Sequence, residues 1–133
     1  AARIAAAVTY FSGIGLQNIV LVGDTGGASR ALAGELPPAI VGFVGVGAWE
    51  GDLDGLDVAI LDIAGTRDAR AIRWQQQRQA SARTYPNSLE AAVIDGAGPD
   101  FYGYAEQTAR AVFQPLGQLR TSHRPNQSHL MAL

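Results

Sequence analysis

The chain has no cysteine and no lysine. Without cysteine there is neither a disulfide framework nor a thiolate metal site, so redox chemistry does not reveal the compartment. Without lysine, any mechanism that needs a catalytic lysine is excluded, such as a lysine Schiff base or a Walker-type phosphate loop. All ten basic residues are arginine, a bias that GC-rich coding would also produce. Charge is scarce too: charged residues make up 17% and apolar residues 47%, the charged share lying below that of ordinary globular chains. A surface this poor in charge is expected to be partly covered by a partner or by copies of the same chain, as in a homo-oligomer. The net charge of −2 argues against a non-specific nucleic-acid binder.

Long apolar segments are almost missing. Ile4–Val22 is uncharged over 19 residues, about the length of a membrane span. Thr9, Ser12, Gly13, Gly15, Gln17 and Asn18 interrupt it, and it runs into a core strand. The reading is therefore a soluble, cytoplasmic protein with no membrane partner. The chain starts at Ala1, which leaves removal of an initiator Met or a leader open. Its 133 residues suffice for one domain with a single core.

The stretch that organises the chain is Ile19–Leu36, IVLVGDTGGASRALAGEL. Ile19–Val22 is apolar and mostly β-branched, which suits a strand buried on both faces of a parallel sheet. Gly23-Asp24-Thr25-Gly26-Gly27 breaks the run and brings backbone amides close to whatever lies above the strand end. Ala28, Ala31, Leu32 and Leu36 then recur at helical spacing. Thr25 or Ser29 is placed to cap that helix, and Pro37-Pro38 stops it. A strand, a glycine turn and a helix start together are the geometry in which unpaired amides and the helix dipole meet a phosphate. The turn reads G-x-x-G-G, only loosely like the dinucleotide fingerprint G-x-G-x-x-G, and a βα turn without a ligand would look the same.

Similar units follow. The chain predicts an N-terminal helix within residues 1–17, with Ile4, Ala7, Val8 and Phe11 on one face, a core over residues 18–113 and a polar tail over 114–133. Further strands are predicted at Ala39–Val46, Val58–Ile63 and Ala91–Ile94. Helices are predicted at Asp68–Arg83, with Ala69, Ile72 and Gln76 inward, and at Phe101–Phe113. Arg67, Arg70, Arg73 and Arg78 form a row that reads as solvated or as facing an anion. Strands alternating with helices predict an α/β fold: a small Rossmann-like three-layer sandwich with a mainly parallel sheet. Ligands of such sheets sit beyond the carboxyl ends of the strands. That edge would gather Gly23–Gly27 and Ser29, Gly45–Trp49, Gly65-Thr66-Arg67, and Asp95-Gly96 through Asp100.

Other signals are thinner. Asp52, Asp54 and Asp57 with Gly55 partly match a calcium loop, but no Glu stands at the twelfth position, so no metal site is expected. His123 and His129 lack metal-ligand spacing and read as surface residues. Gly23–Gly27 looks like the Gly-Asp-Ser-Gly-Gly of trypsin-like serine proteases with Thr at the nucleophile, yet no His precedes it. It also resembles the phosphate turn of sugar kinases, whose later motifs are missing. Short-chain dehydrogenases fit the first unit only, since their Tyr-x-x-x-Lys cannot occur here.

Taken in order, IVLVGDTGGASRALAGEL, AIVGFVGV, LDVAILDIAGTRDARAIRW and TYPNSLEAAVID resemble the N-terminal domain of bacterial hexapeptide-repeat sugar acyltransferases over Asn18 to Asp95. The resemblance implies a nucleotide or nucleotide-sugar ligand, with Gly26 and Gly27 facing a uridine nucleotide-sugar. It also implies that Ala64-Gly65-Thr66-Arg67 forms the third-strand loop, with Asp62 beside it. Leu89-Glu90 replaces the family's His-Pro, and the β-helix with its catalytic His and acyl-CoA site is missing, so binding without acylation is implied. Two alternatives stay open. One is a structural subunit of a homo-oligomeric filament, shell or virion. The other is a small enzyme using Asp24, Asp62 and Asp95 at the strand ends. The sequence leaves undecided whether the chain catalyses anything.

Overall fold

A computed structural model describes residues 2–53, 56–82, 87–122 and 131–132, with side chains through residue 115. Nine elements follow in order: α1 (Ala2–Gly13), β1 (Ile19–Asp24), α2 (Thr25–Leu32), β2 (Ile40–Val46), β3 (Ala59–Gly65), α3 (Ala69–Ser81), β4 (Leu89–Ile94), α4 (Ala105–Ser122) and β5 (Met131–Ala132). The strands form one sheet in the order β4-β3-β2-β1-β5, and every pairing is parallel. The four predicted strands are all present, and the fold is the expected small Rossmann-like α/β sandwich.

Strand β1 is buried from Ile19 to Leu21 because both faces are covered. Ile19, Leu21, Phe43 and Ile60 point to one core, closed by Ala28, Ala31 and Leu32 of α2 and by Val8 of α1. Ile4 and Phe11 pack there as well, as the helical spacing of α1 predicts. Val20, Val44, Leu61 and Ile63 point to the other core, where Val112 of α4 packs. The chain steps one way across the sheet from β1 to β4, which keeps α2 and α3 on a common face. Helix α4 then leads from β4 at one edge towards β5, beside β1, and covers the opposite face. The strand order thus reverses at β1, the kind of switch point where open α/β sheets take ligands.

Three details differ from expectation. Helix α3 turns Ala71, Gln75 and Arg78 inward, whereas its hydrophobic spacing favoured Ala69, Ile72 and Gln76. Arg78 therefore leaves the exposed row formed by Arg67, Arg70 and Arg73. Helix α4 continues through Pro115 to Ser122, beyond the residue where the helical spacing fades. Asp54 and Gly55 of the partial calcium loop, and His123 and His129, lie outside the described residues.

The β2 to β3 crossover has no helix among its described residues. Trp49 and Leu53 fill the core there instead. Helix α2 lies unusually close to the end of β1, because a Cβ on Gly23 would stand 2.9 Å from the Ala28 Cα. Only glycine permits that approach.

Candidate functional site

The carboxyl edge of the sheet brings the predicted residues together as two groups. Gly23, Asp24, Thr25, Gly26, Gly27 and Ser29 form the first, at the junction of β1 and α2. Gly65, Thr66, Arg67, Asp95 and Gly96 form the second, where β3 and β4 end. Here the Thr66 hydroxyl donates to Asp95 Oδ1 at 3.3 Å and accepts from the Gly96 amide at 2.7 Å. The Arg67 amide donates to the Ala97 carbonyl at 2.9 Å. Strand β1 stands two strand spacings from β3 and three from β4, roughly 10 and 14 Å.

The loop after β4 crosses this edge towards the first group. A Cβ on Gly47, at the end of β2, would meet the Thr25 methyl at 3.1 Å and Phe101 at 3.8 Å. Beside this junction is an open depression of about 450 Å3, lined by Thr25, Gly26, Ser29, Ala48, Glu50, Asp68, Arg70, Trp74 and Pro99. It adjoins the starts of both α2 and α3. Asp68 caps α3, its Oδ1 accepting from the Ala71 amide at 3.0 Å. Asp24 occupies the cap position of α2 without a side-chain cap bond. Its Oδ1 lies 3.2 Å from where a Gly27 Cβ would be, over the first helical turn. The Ser29 hydroxyl donates to the Thr25 carbonyl at 3.1 Å and accepts from the Glu50 amide at 2.8 Å, joining α2 to the β2–β3 connection. The Arg70 guanidinium carbon stands 5.4 Å from the Trp74 ring centroid.

Glu50, Asp68, Arg70 and Trp74 were not among the predicted site residues. Arg70 and Trp74 are one turn apart on α3, a spacing visible in the sequence. Their meeting with Glu50 depends on how the connection folds, which periodicity does not show.

Beneath the depression is a buried polar cluster. Asp62, fully buried in the middle of the sheet, accepts from Arg78 Nε at 2.6 Å, from Arg78 Nη2 at 3.0 Å and from Trp49 Nε1 at 3.1 Å. Arg78 Nη1 donates to the Trp49 carbonyl at 2.6 Å, and the guanidinium lies 3.7 Å from the Trp49 ring centroid. Gln75 Nε2 donates to the carbonyls of Asp62 at 2.9 Å and Ala92 at 3.0 Å. Burial pushes the Asp62 carboxyl above its ordinary range, against the pull of Arg78 and Trp49. Among the described residues no buried side-chain N or O lacks a partner. Asp62 is thus committed to Arg78, while Asp24 ends β1 and Asp95 follows β4, three strands away in the sheet.

A second hollow of about 500 Å3 lies at the opposite edge, with Glu35, Asp52 and Asp57 in its lining and no basic residue. It faces away from the helix starts and from the glycine turn. Among the described residues no group of three or more His, Cys, Asp or Glu is placed to hold a metal ion. No helix there is long and apolar enough to cross a membrane.

Comparison with protein-family models, curated proteins and solved structures finds no match to this chain.

Proposed function

We propose that the chain is a nucleotide- or nucleotide-sugar-binding module that takes its ligand in the depression between α2, the β2–β3 connection and α3. The observation that carries this is the position of Trp74 beside two carboxylates, Glu50 and Asp68, at the carboxyl edge of a parallel sheet. An indole face stacks on a base or sugar ring. Carboxylates accept from paired ring hydroxyls, and a hollow of this volume suits a ligand of nucleoside size. Asp24 already covers the first turn of α2, so a bare polyphosphate is disfavoured there. Arg70 and Arg30 are the cations nearest to hand for a phosphate; Arg30 Nη1 lies 3.8 Å from a Cβ built on Gly26.

Thermal melts with UDP-glucose, NAD and ATP test the reading. A ligand at a hundredfold excess over its dissociation constant raises stability by about 2.7 kcal/mol. The expected order is UDP-glucose or NAD ahead of ATP, with the shift lost in Trp74→Ala and kept in Thr66→Ala. No shift with any of the three removes the proposal.

Assembly with copies of itself is a second reading, favoured by Tyr10 and Ile14, 65% and 58% exposed near the end of α1. Light scattering on a sizing column should then give a multiple of 13.9 kDa; a single monomeric species removes it.

A further inference from the structure

We infer that Arg78 and Asp62 are positioning residues for the depression, setting the width of its opening by holding the β2–β3 connection against α3. The inference takes from the proposed function only the identity of what enters the opening. Three separate elements meet in the cluster: Asp62 comes from β3, Arg78 from α3 and Trp49 from the connection. Trp49 is held on every side. Its ring lies under the guanidinium, its edge meets Phe43 at 5.6 Å between centroids, and both its indole N–H and its carbonyl are hydrogen-bonded within the cluster. The residues on either side of it, Ala48 and Glu50, line the depression.

The opposite wall is carried by the same helix that carries Arg78. Arg70 and Trp74 line the depression two turns and one turn nearer the start of α3. Eight residues of helix amount to about 12 Å, so Arg78 anchors the helix deep in the sheet while Arg70 stands at the opening. Gln75 fixes the same helix to the backbones of β3 and β4. The Glu50 amide is tied in turn to Ser29 of α2. Each wall therefore has a polar anchor, and the Arg78 bond to the Trp49 carbonyl joins the wall of the connection to that of α3.

Stability alone explains such a cluster poorly. Buried ion pairs often gain nothing over apolar groups of similar volume, because desolvation offsets the attraction. What a bidentate guanidinium adds is direction: its planar fork fixes angles that apolar packing leaves free.

The absence of cysteine makes the test direct. Cysteines at Glu50→Cys and Arg70→Cys take nitroxide labels, and electron paramagnetic resonance reports the distance across the opening. The labelled pair is placed in the otherwise native chain, in Arg78→Met and in Asp62→Leu/Arg78→Met. The last variant is there because the single one leaves a buried charge unpaired, a cost able to prevent folding. The expected result is one narrow distribution in the native background and a broader one, shifted by a few ångströms, in the folded double variant. In unlabelled protein, any UDP-glucose affinity should fall at least tenfold in that double variant. An unchanged distance distribution in the folded double variant overturns the inference, whatever the ligand does. A widened distribution with no UDP-glucose, NAD or ATP binding to the native chain supports the inference and overturns the nucleotide reading alone.

Discussion

Arg78→Met is expected to unfold about 3–5 kcal/mol more easily than the native chain, the usual cost of stranding a buried charge. Methionine keeps much of the stem and most of the packing, so the loss comes from the guanidinium. Asp62 loses two of its three donors, and the Trp49 carbonyl loses the Arg78 bond. For a domain of this length the melting temperature should fall by roughly 10–20 °C. Arg78→Lys should not restore the loss, because an ammonium cannot reach both carboxylate oxygens and the carbonyl from one plane. Asp62→Leu/Arg78→Met should recover only part of it, since removing both charges ends the desolvation cost while the Trp49 indole N–H and carbonyl lose their partners. Denaturant melts of the three variants decide the matter. A single-variant loss under about 1 kcal/mol would show that the pair is not the buried electrostatic contact its geometry describes.

This cluster also marks where sequence reading stops. The strands were legible because their signal is local: β-branched apolar runs at Ile19–Val22 and Val58–Ile63 end in glycine or alanine turns and have both faces to bury. Helix α1 was legible for the same reason, with Ile4, Val8 and Phe11 on one side. Helix α3 was not, because the side chains it turns inward are Gln75 and Arg78. A hydrophobic period cannot see a polar inward face. One signal was present and unread. Asp62 stands inside the apolar strand VAILDI, and a carboxylate there needs a buried cation or several donors. With no lysine in the chain, ten arginines were the main candidates for that cation. Which arginine it is depends on a contact spanning 16 residues, and no local pattern carries that. The candidate site divides in the same way. The glycine turn after β1 was legible, whereas Glu50 reaches the depression only through the crossover that Trp49 pins, where it meets Trp74 of α3.

Gly45→Ala is expected to be comparably damaging to the arginine substitution, although it adds a single methyl group. Gly45 lies next to the last residue of β2, paired with Gly23 on one side and Asp62 on the other. A Cβ there would fall among the Cε2, Nε1 and Cζ2 atoms of Trp49. The indole cannot retreat, because Arg78 lies on its face and Phe43 against its edge. Overpacking costs about 1–3 kcal/mol, and breaking the indole bond to the Asp62 carboxylate costs about 1.5–3 kcal/mol more. Together the loss should be about 2.5–6 kcal/mol. Gly13→Ala, at a position with nothing within 4 Å of the added carbon, serves as the control and should change stability by no more than about 1 kcal/mol. Trp49→Phe removes Nε1 and Cζ2, two of the three atoms the methyl would strike. Gly45→Ala/Trp49→Phe should therefore lose less than the sum of the two single changes, with a coupling of about 0.5–3 kcal/mol. Strict additivity would mean that Gly45 is needed for some reason other than the tryptophan stacked above it, and the clamp on the β2–β3 connection would lose its floor.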